Sequence, residues 1–119
     1  MVGFHSTVGT LVLVGYLILV VVNVLALRGR QYPWARQLSF FVAGLLVLQY
    51  VIGFSLLGSD HDISAAHYIL ALCALITVGF EHGYANSRET PQERARFAAL
   101  ATAGTFIIVL ITYLIGQSN

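Results

Sequence analysis

Charge is what this chain has least of: only 9% of its 119 residues are Asp, Glu, Lys or Arg, and the formal net charge is +1. A water-soluble domain carries about 25% charged residues, so this composition is not built for water. So small a net charge also gives no electrostatic basis for a nucleic-acid partner. There is a single cysteine, Cys73, which excludes an internal disulfide and, in the middle of an apolar run, serves as a small packing residue. No basic residue precedes the first apolar run, and that run is too long for the core of a cleaved signal peptide; the first helix is expected in the mature protein. The apolar runs hold no nucleophile beside a base, no phosphate loop and no carboxylate pair. An autonomous enzyme is therefore not expected.

What the chain has instead is apolar length. Hydrophobic residues make up 58% of it. Stretches free of Asp, Glu and Arg run from Val8 to Leu27, Leu38 to Leu57, Ile63 to Phe80 and Phe97 to Ile115. Each is about the 18 to 20 residues that cross a hydrocarbon core of roughly 30 Å. The expected fold class is all-α, an integral membrane up-and-down four-helix bundle forming a single domain over 1–119. Its helices are expected at about 6–28, 34–58, 62–83 and 91–116, with the lipid bilayer as their surroundings.

All six basic residues fall in two of the connections: Arg28, Arg30 and Arg36 between helices 1 and 2, and Arg88, Arg94 and Arg96 between helices 3 and 4. The middle connection holds Asp60, His61 and Asp62. Basic loops stay on the cytoplasmic side, so both termini and the middle loop are expected outside, in a multi-pass membrane protein. Tyr32, Trp34 and Tyr84 then fall at the inner interface, where amphipathic rings anchor. Thr90, Pro91, Gln92 and Glu93 read as a capping box with proline at the first helical position. Pro33 marks a start for helix 2 and Gly83 a stop for helix 3. Asp60 or Asp62 suits the N-terminus of helix 3.

Two histidines are the candidates for chemistry, although the blander reading of His5 is a wetted, functionless interfacial histidine near a chain terminus. His5 precedes Arg28 by 23 residues and His67 precedes Arg88 by 21, so at 1.5 Å per residue their depths differ by roughly 3 Å. Helices 1 and 3 run in the same direction and lie on a diagonal of an up-and-down bundle. Two imidazoles so placed can meet a flat ligand from opposite sides, and haem b is the expected cofactor, with His5 and His67 as its iron ligands. Helical stepping from His5 reaches Gly9, Val12 and Tyr16, and from His67 reaches Ala71, Ala74 and Val78. Gly9, Ala71 and Ala74 would leave room for a macrocycle, although small residues also line ordinary close contacts between membrane helices. Ser6 and Ser64 are candidate partners for the second ring nitrogens. A magnesium chlorin, which needs one histidine per pigment, is the other tetrapyrrole open to such a site.

The remaining polar residues admit blander readings. His61 is expected in solvent; the sharper alternative makes it a third ligand, with His5 and His67, for zinc or copper. His82 lies on roughly the same face as His67, but no other helix has an inner histidine to complete a second bis-histidine site. Glu81 and His82 are expected as a solvated interfacial pair, with a proton path or a quinone headgroup as the alternative. Gln49 is costly in lipid unless it bonds a neighbour, and it reads as glue between helices. Asn23, Thr102, Thr105 and Thr112 read the same way.

His5-Ser6 opening helix 1, Gln49 followed by Gly53 in helix 2, His67 opening helix 3 with Gly79 near its end, and a basic approach to helix 4 form a pattern. It resembles small bacterial four-helix integral membrane proteins, uncharacterised or labelled cytochrome b-like. The resemblance implies His5 and His67 as the positions matching that group's histidines, and the bacterial cytoplasmic (inner) membrane as the location. The chain departs from it in having Gly9 and Thr10 where Arg-Trp often follows the first histidine, and in lacking a tryptophan after helix 4. The expected function is a cytochrome b-type subunit with one haem b near the outer leaflet. It would transfer electrons within a respiratory or photosynthetic complex, with other membrane subunits, self-association or quinone as partners. The alternative is a cofactor-free accessory subunit that packs against a larger membrane complex.

Overall fold

A computed structural model describes residues 2–30, 32–55 and 65–118. Four helices account for nearly all of them: α1 (Val2–Leu27), α2 (Ala35–Ser55), α3 (Ala65–Gly79) and α4 (Pro91–Ser118). Each helical segment, α3 taken with the turn that continues it, is long and apolar enough to cross a membrane. None has a polar stripe. Phe41, Val51, Ile76, Leu100 and Leu114 all point outward, an all-round apolar surface that suits lipid rather than water. The bundle is a rod of 49 × 20 × 20 Å.

Local sequence explains the ends. Gly29 has φ +91°, and Arg30 N–H bonds the Leu25 carbonyl while Gly29 N–H bonds that of Ala26, each at 3.0 Å. This is the Schellman pattern, whose left-handed residue favours glycine. At the start of α4, Thr90 Oγ1 accepts the Glu93 N–H at 3.1 Å, and Pro91 occupies the first helical position. Helix 3 does not simply run on to Gly83. Its α-helical part ends at Gly79, Phe80–Tyr84 winds as a single π-turn and Ala85–Ser87 as a 3₁₀ turn. Insertions of this kind rotate the following side chains relative to a regular helix. Glu81, two turns after buried Ala74, faces the bundle interior.

Cross-helix contacts show that sequence neighbours are antiparallel. His5 lies against Gly53 and Gly15 against Val42 for α1 and α2. Asn23 bonds Thr102 for α1 and α4, and Thr105 bonds Thr77 for α4 and α3. Helices α1 and α4, α3 and α4, and α1 and α2 approach closely along their backbones. The α2–α3 side is joined by longer side chains, with the Tyr50 hydroxyl donating to the Ala71 carbonyl and Ser39 to Glu81.

Val8, Val12, Tyr16 and Leu19 form the buried stripe of α1, against Val42 and Leu46 of α2, Ala74 of α3 and Val109 of α4. Helix α4 contributes mainly small residues: Ala95, Ala98, Ala99, Ala101, Thr102 and Thr105 are all buried. Small faces let backbones come close where no hydrophobic effect drives helices together.

Candidate functional site

Because α1 and α3 run the same way, both histidines end at the same end of the rod. Their rings meet, with centroids 6.5 Å apart and planes at 66°. Each imidazole leans on a glycine of a different helix. A Cβ at Gly53 would stand 3.3 Å from His5 Cε1, and a Cβ at Gly116 would stand 3.0 Å from His67 Cε1. All four helices therefore shape the pair.

The ring nitrogens are not equivalent. His67 Nδ1 lies 3.0 Å from the Thr112 carbonyl oxygen. A carbonyl only accepts, so Nδ1 carries the proton and the neutral ring keeps its lone pair on Nε2. The Thr112 hydroxyl takes no part in this contact, since it bonds back to the Ile108 carbonyl at 2.7 Å. Gln49 Nε2 stands 3.4 Å from His5 Nε2, with the amide as donor. His5 Nδ1 and Gln49 Oε1 are left buried and without hydrogen-bond partners. Beside them Thr10 Oγ1 and Tyr113 Oη pair at 3.1 Å.

The small residues named from the sequence sit in different places. Gly9 makes room for Gln49, whose Nε2 would be 3.0 Å from a Cβ there. Ala71 accepts the Tyr50 hydroxyl through its carbonyl. Ala74, at 1% exposure, belongs to the closed core. Gly53, Gly116 and the Thr112 carbonyl, which touch the rings directly, are not evident from either histidine's own helix. The available signal is register: Gly53 follows Gln49, and Gly116 follows Thr112, by one turn.

Asp60, His61, Asp62 and Ser64 lie outside the described residues. Among the described residues no three His, Cys, Asp or Glu side chains cluster as a metal site.

The opposite end of the bundle corrects one expectation. Glu81 is not solvated: it is 3% exposed. It lies between helices, where Oε2 accepts the Ser39 hydroxyl and Oε1 accepts no hydrogen bond. His82 Nε2 lies 3.7 Å from Oε1 and 3.3 Å from Ser39 Oγ. The His82 ring packs 4.6 Å from that of Phe40, centroid to centroid.

Compared with known family models, curated proteins and solved structures, the chain matches none.

Proposed function

We propose that this chain is a multi-pass subunit of the bacterial cytoplasmic membrane, with both termini outside, in which His5 and His67 bind one haem b. The arginines at one end of the bundle support that orientation, by the bias of basic residues toward the cytoplasm. The observation that carries the cofactor is the 6.5 Å between the two imidazole centroids. Two imidazoles on opposite sides of one metal ion, each at about 2.1 Å, have centroids roughly 6 Å apart.

The donor set fits the group. His67 keeps Nε2 for iron because Nδ1 is held by Thr112, the outer hydrogen bond that typically orients a ligating histidine. Buried His5 Nδ1 still lacks a partner, as in a site awaiting a ligand or ordered water. Bound haem would supply one-electron chemistry, with potential set by its axial ligands and surroundings. The protein's part is to hold two neutral imidazoles level, exclude water with the Val8 to Leu19 core, and leave the electron donor and acceptor to other membrane subunits or quinone.

A cofactor-free accessory subunit is the second reading, and the observation on its side is that Gln49 already occupies His5 Nε2. Against it, the polar side chains within the apolar spans bond inside this bundle, Asn23 to Thr102 and Thr105 to Thr77, rather than facing outward to a partner.

The test is a dithionite-reduced minus oxidised visible spectrum of detergent-purified protein expressed with haem available, beside His5→Ala and His67→Ala. A b-type α band abolished by either substitution supports ligation by the pair. A featureless wild-type spectrum transfers the assignment to the accessory subunit.

A further inference from the structure

The arginine-bearing end of the bundle contains a cavity of about 260 Å³, whose polar lining is Asn23, Tyr32, Arg36, Ser39, Glu81 and Arg94. Aliphatic side chains of α1 and alanines of α4 complete the wall. The volume lies just under the range of about 300–1,000 Å³ typical of drug-sized ligands, the scale of a headgroup rather than of a whole lipid.

Two sets of unmet needs face this space. Arg36 is exposed and its guanidinium lies 5.7 Å from the Phe40 ring centre. Arg94 commits Nη1 to the carbonyls of Arg88 and Glu89, at 2.8 and 3.1 Å. Among the described residues neither arginine meets a carboxylate, and the nearest basic nitrogen to Glu81 Oε1, His82 Nε2, stands 3.7 Å away, beyond hydrogen-bond reach. Deeper in, Glu81 is 3% exposed, and its Oε1 accepts no hydrogen bond. A buried carboxyl oxygen in that state is costly until a donor reaches it. Two guanidinium charges against a single carboxyl suit an anionic ligand, and the carboxyl oxygen without a partner suits a hydroxyl or N–H donor. A neutral quinone ring would serve the carboxyl only when reduced, and would leave both guanidinium charges unused.

We propose that this cavity binds the headgroup of an anionic, hydroxylated phospholipid of the phosphatidylglycerol type. Its phosphate sits at Arg36 and Arg94, and a glycerol hydroxyl donates to Glu81 Oε1. The acyl chains lie outside the cavity against the apolar faces of the helices. Basic pockets between membrane helices on the cytoplasmic side recognise anionic headgroups in this way. The inference rests on the membrane placement proposed above and is independent of haem.

Native mass spectrometry of delipidated protein in detergent tests it, with phosphatidylglycerol, phosphatidylethanolamine and phosphatidylmethanol of identical chains as probes. Phosphatidylglycerol should be retained over phosphatidylethanolamine by about five-fold for each arginine engaged. Phosphatidylmethanol, with the same charge and no hydroxyl, should be retained several-fold less than phosphatidylglycerol. Arg36→Gln/Arg94→Gln should abolish the preference, Arg36→Gln alone should halve it on a logarithmic scale, and Arg28→Gln/Arg30→Gln, outside the cavity, should leave it intact.

Equal retention of the three lipids overturns the site. So does a loss in Arg28→Gln/Arg30→Gln matching that of the cavity pair, since that marks general surface charge. Displacement of the lipid by equimolar glycerol 1-phosphate overturns the lipid assignment in favour of a soluble phosphate ester. Failure of the membrane placement has its own signature, release of the chain from membranes by alkaline carbonate.

Discussion

Gly116 on α4 gives the imidazole of His67 the space it occupies: a Cβ at 116 would stand 3.0 Å from Cε1 and 3.2 Å from Nδ1. That ring edge also carries the hydrogen bond to Thr112, so it cannot retreat without breaking it. Gly116→Ala is therefore expected to turn the ring and weaken any ligand held by both histidines. The control is Gly104→Ala on the same helix, where the new methyl meets only Thr77 Cγ2, at 3.9 Å. Haem content per protein after purification is the measurement. On the proposed haem ligation, Gly116→Ala should lose most of it and Gly104→Ala none; equal retention in a haem-bearing protein would refute the cradle.

The same geometry makes a stability prediction elsewhere. A Cβ at Gly15 would fall 2.7 and 2.9 Å from the two methyls of Val42, nearer than atoms can pack, so the Val42 side chain or the helices must shift. Overpacking of this kind costs about 1–3 kcal/mol. Gly44, with nothing near its missing Cβ, should instead gain about 0.5–1 kcal/mol on conversion to alanine. Thermal unfolding in detergent should show opposite shifts for Gly15→Ala and Gly44→Ala. Adding Val42→Ala should recover part of the Gly15→Ala loss.

These glycines also show how far the sequence can be read. Four apolar runs separated by arginine-bearing and acidic connections establish the helix count, because membrane spanning demands length and low charge and little else. The meeting of His5 with His67 follows from counting residues to the arginines, since rise per residue is constant along a regular helix. The partners of those rings do not follow. Gly53, Gly116 and the Thr112 carbonyl come from α2 and α4, and which face of one membrane helix meets which face of another is left open when every face is apolar. Glu81 escaped for another reason. It stands seven residues after buried Ala74, so helical stepping already places it on the inner face; its charge and its place near the basic connection are what make it read as solvated.

Burial of Glu81 makes Ser39 the more sensitive of the two positions. The Ser39 hydroxyl is the only hydrogen-bond donor to the carboxyl among the described residues. Ser39→Ala leaves both oxygens unsatisfied, at a cost of about 1–3 kcal/mol. Removing the carboxyl as well, in Ser39→Ala/Glu81→Leu, eliminates the group that needed the bond and should cost less than the sum of the two single changes. A double-mutant cycle by chemical or thermal unfolding should give a coupling of about 0.5–3 kcal/mol. Strict additivity would mean that the two side chains do not depend on each other.

Gln49 separates the two functional readings without reference to the iron spectrum alone. Its amide and a bound haem iron would compete for one atom, His5 Nε2, and both cannot have it. If the pair holds haem, the Gln49 contact belongs to the cofactor-free state, and Gln49→Ala should retain haem as well as wild type or better. If the chain carries no cofactor, the Gln49–His5 bond is part of the glue between α1 and α2. Its loss then leaves His5 buried with neither nitrogen paired, which should cost about 1–3 kcal/mol. The informative experiment measures haem content and melting temperature together for wild type, Gln49→Ala and His5→Ala. Under haem ligation His5→Ala loses haem and Gln49→Ala does not. Under the accessory reading no variant carries haem, and Gln49→Ala melts below wild type.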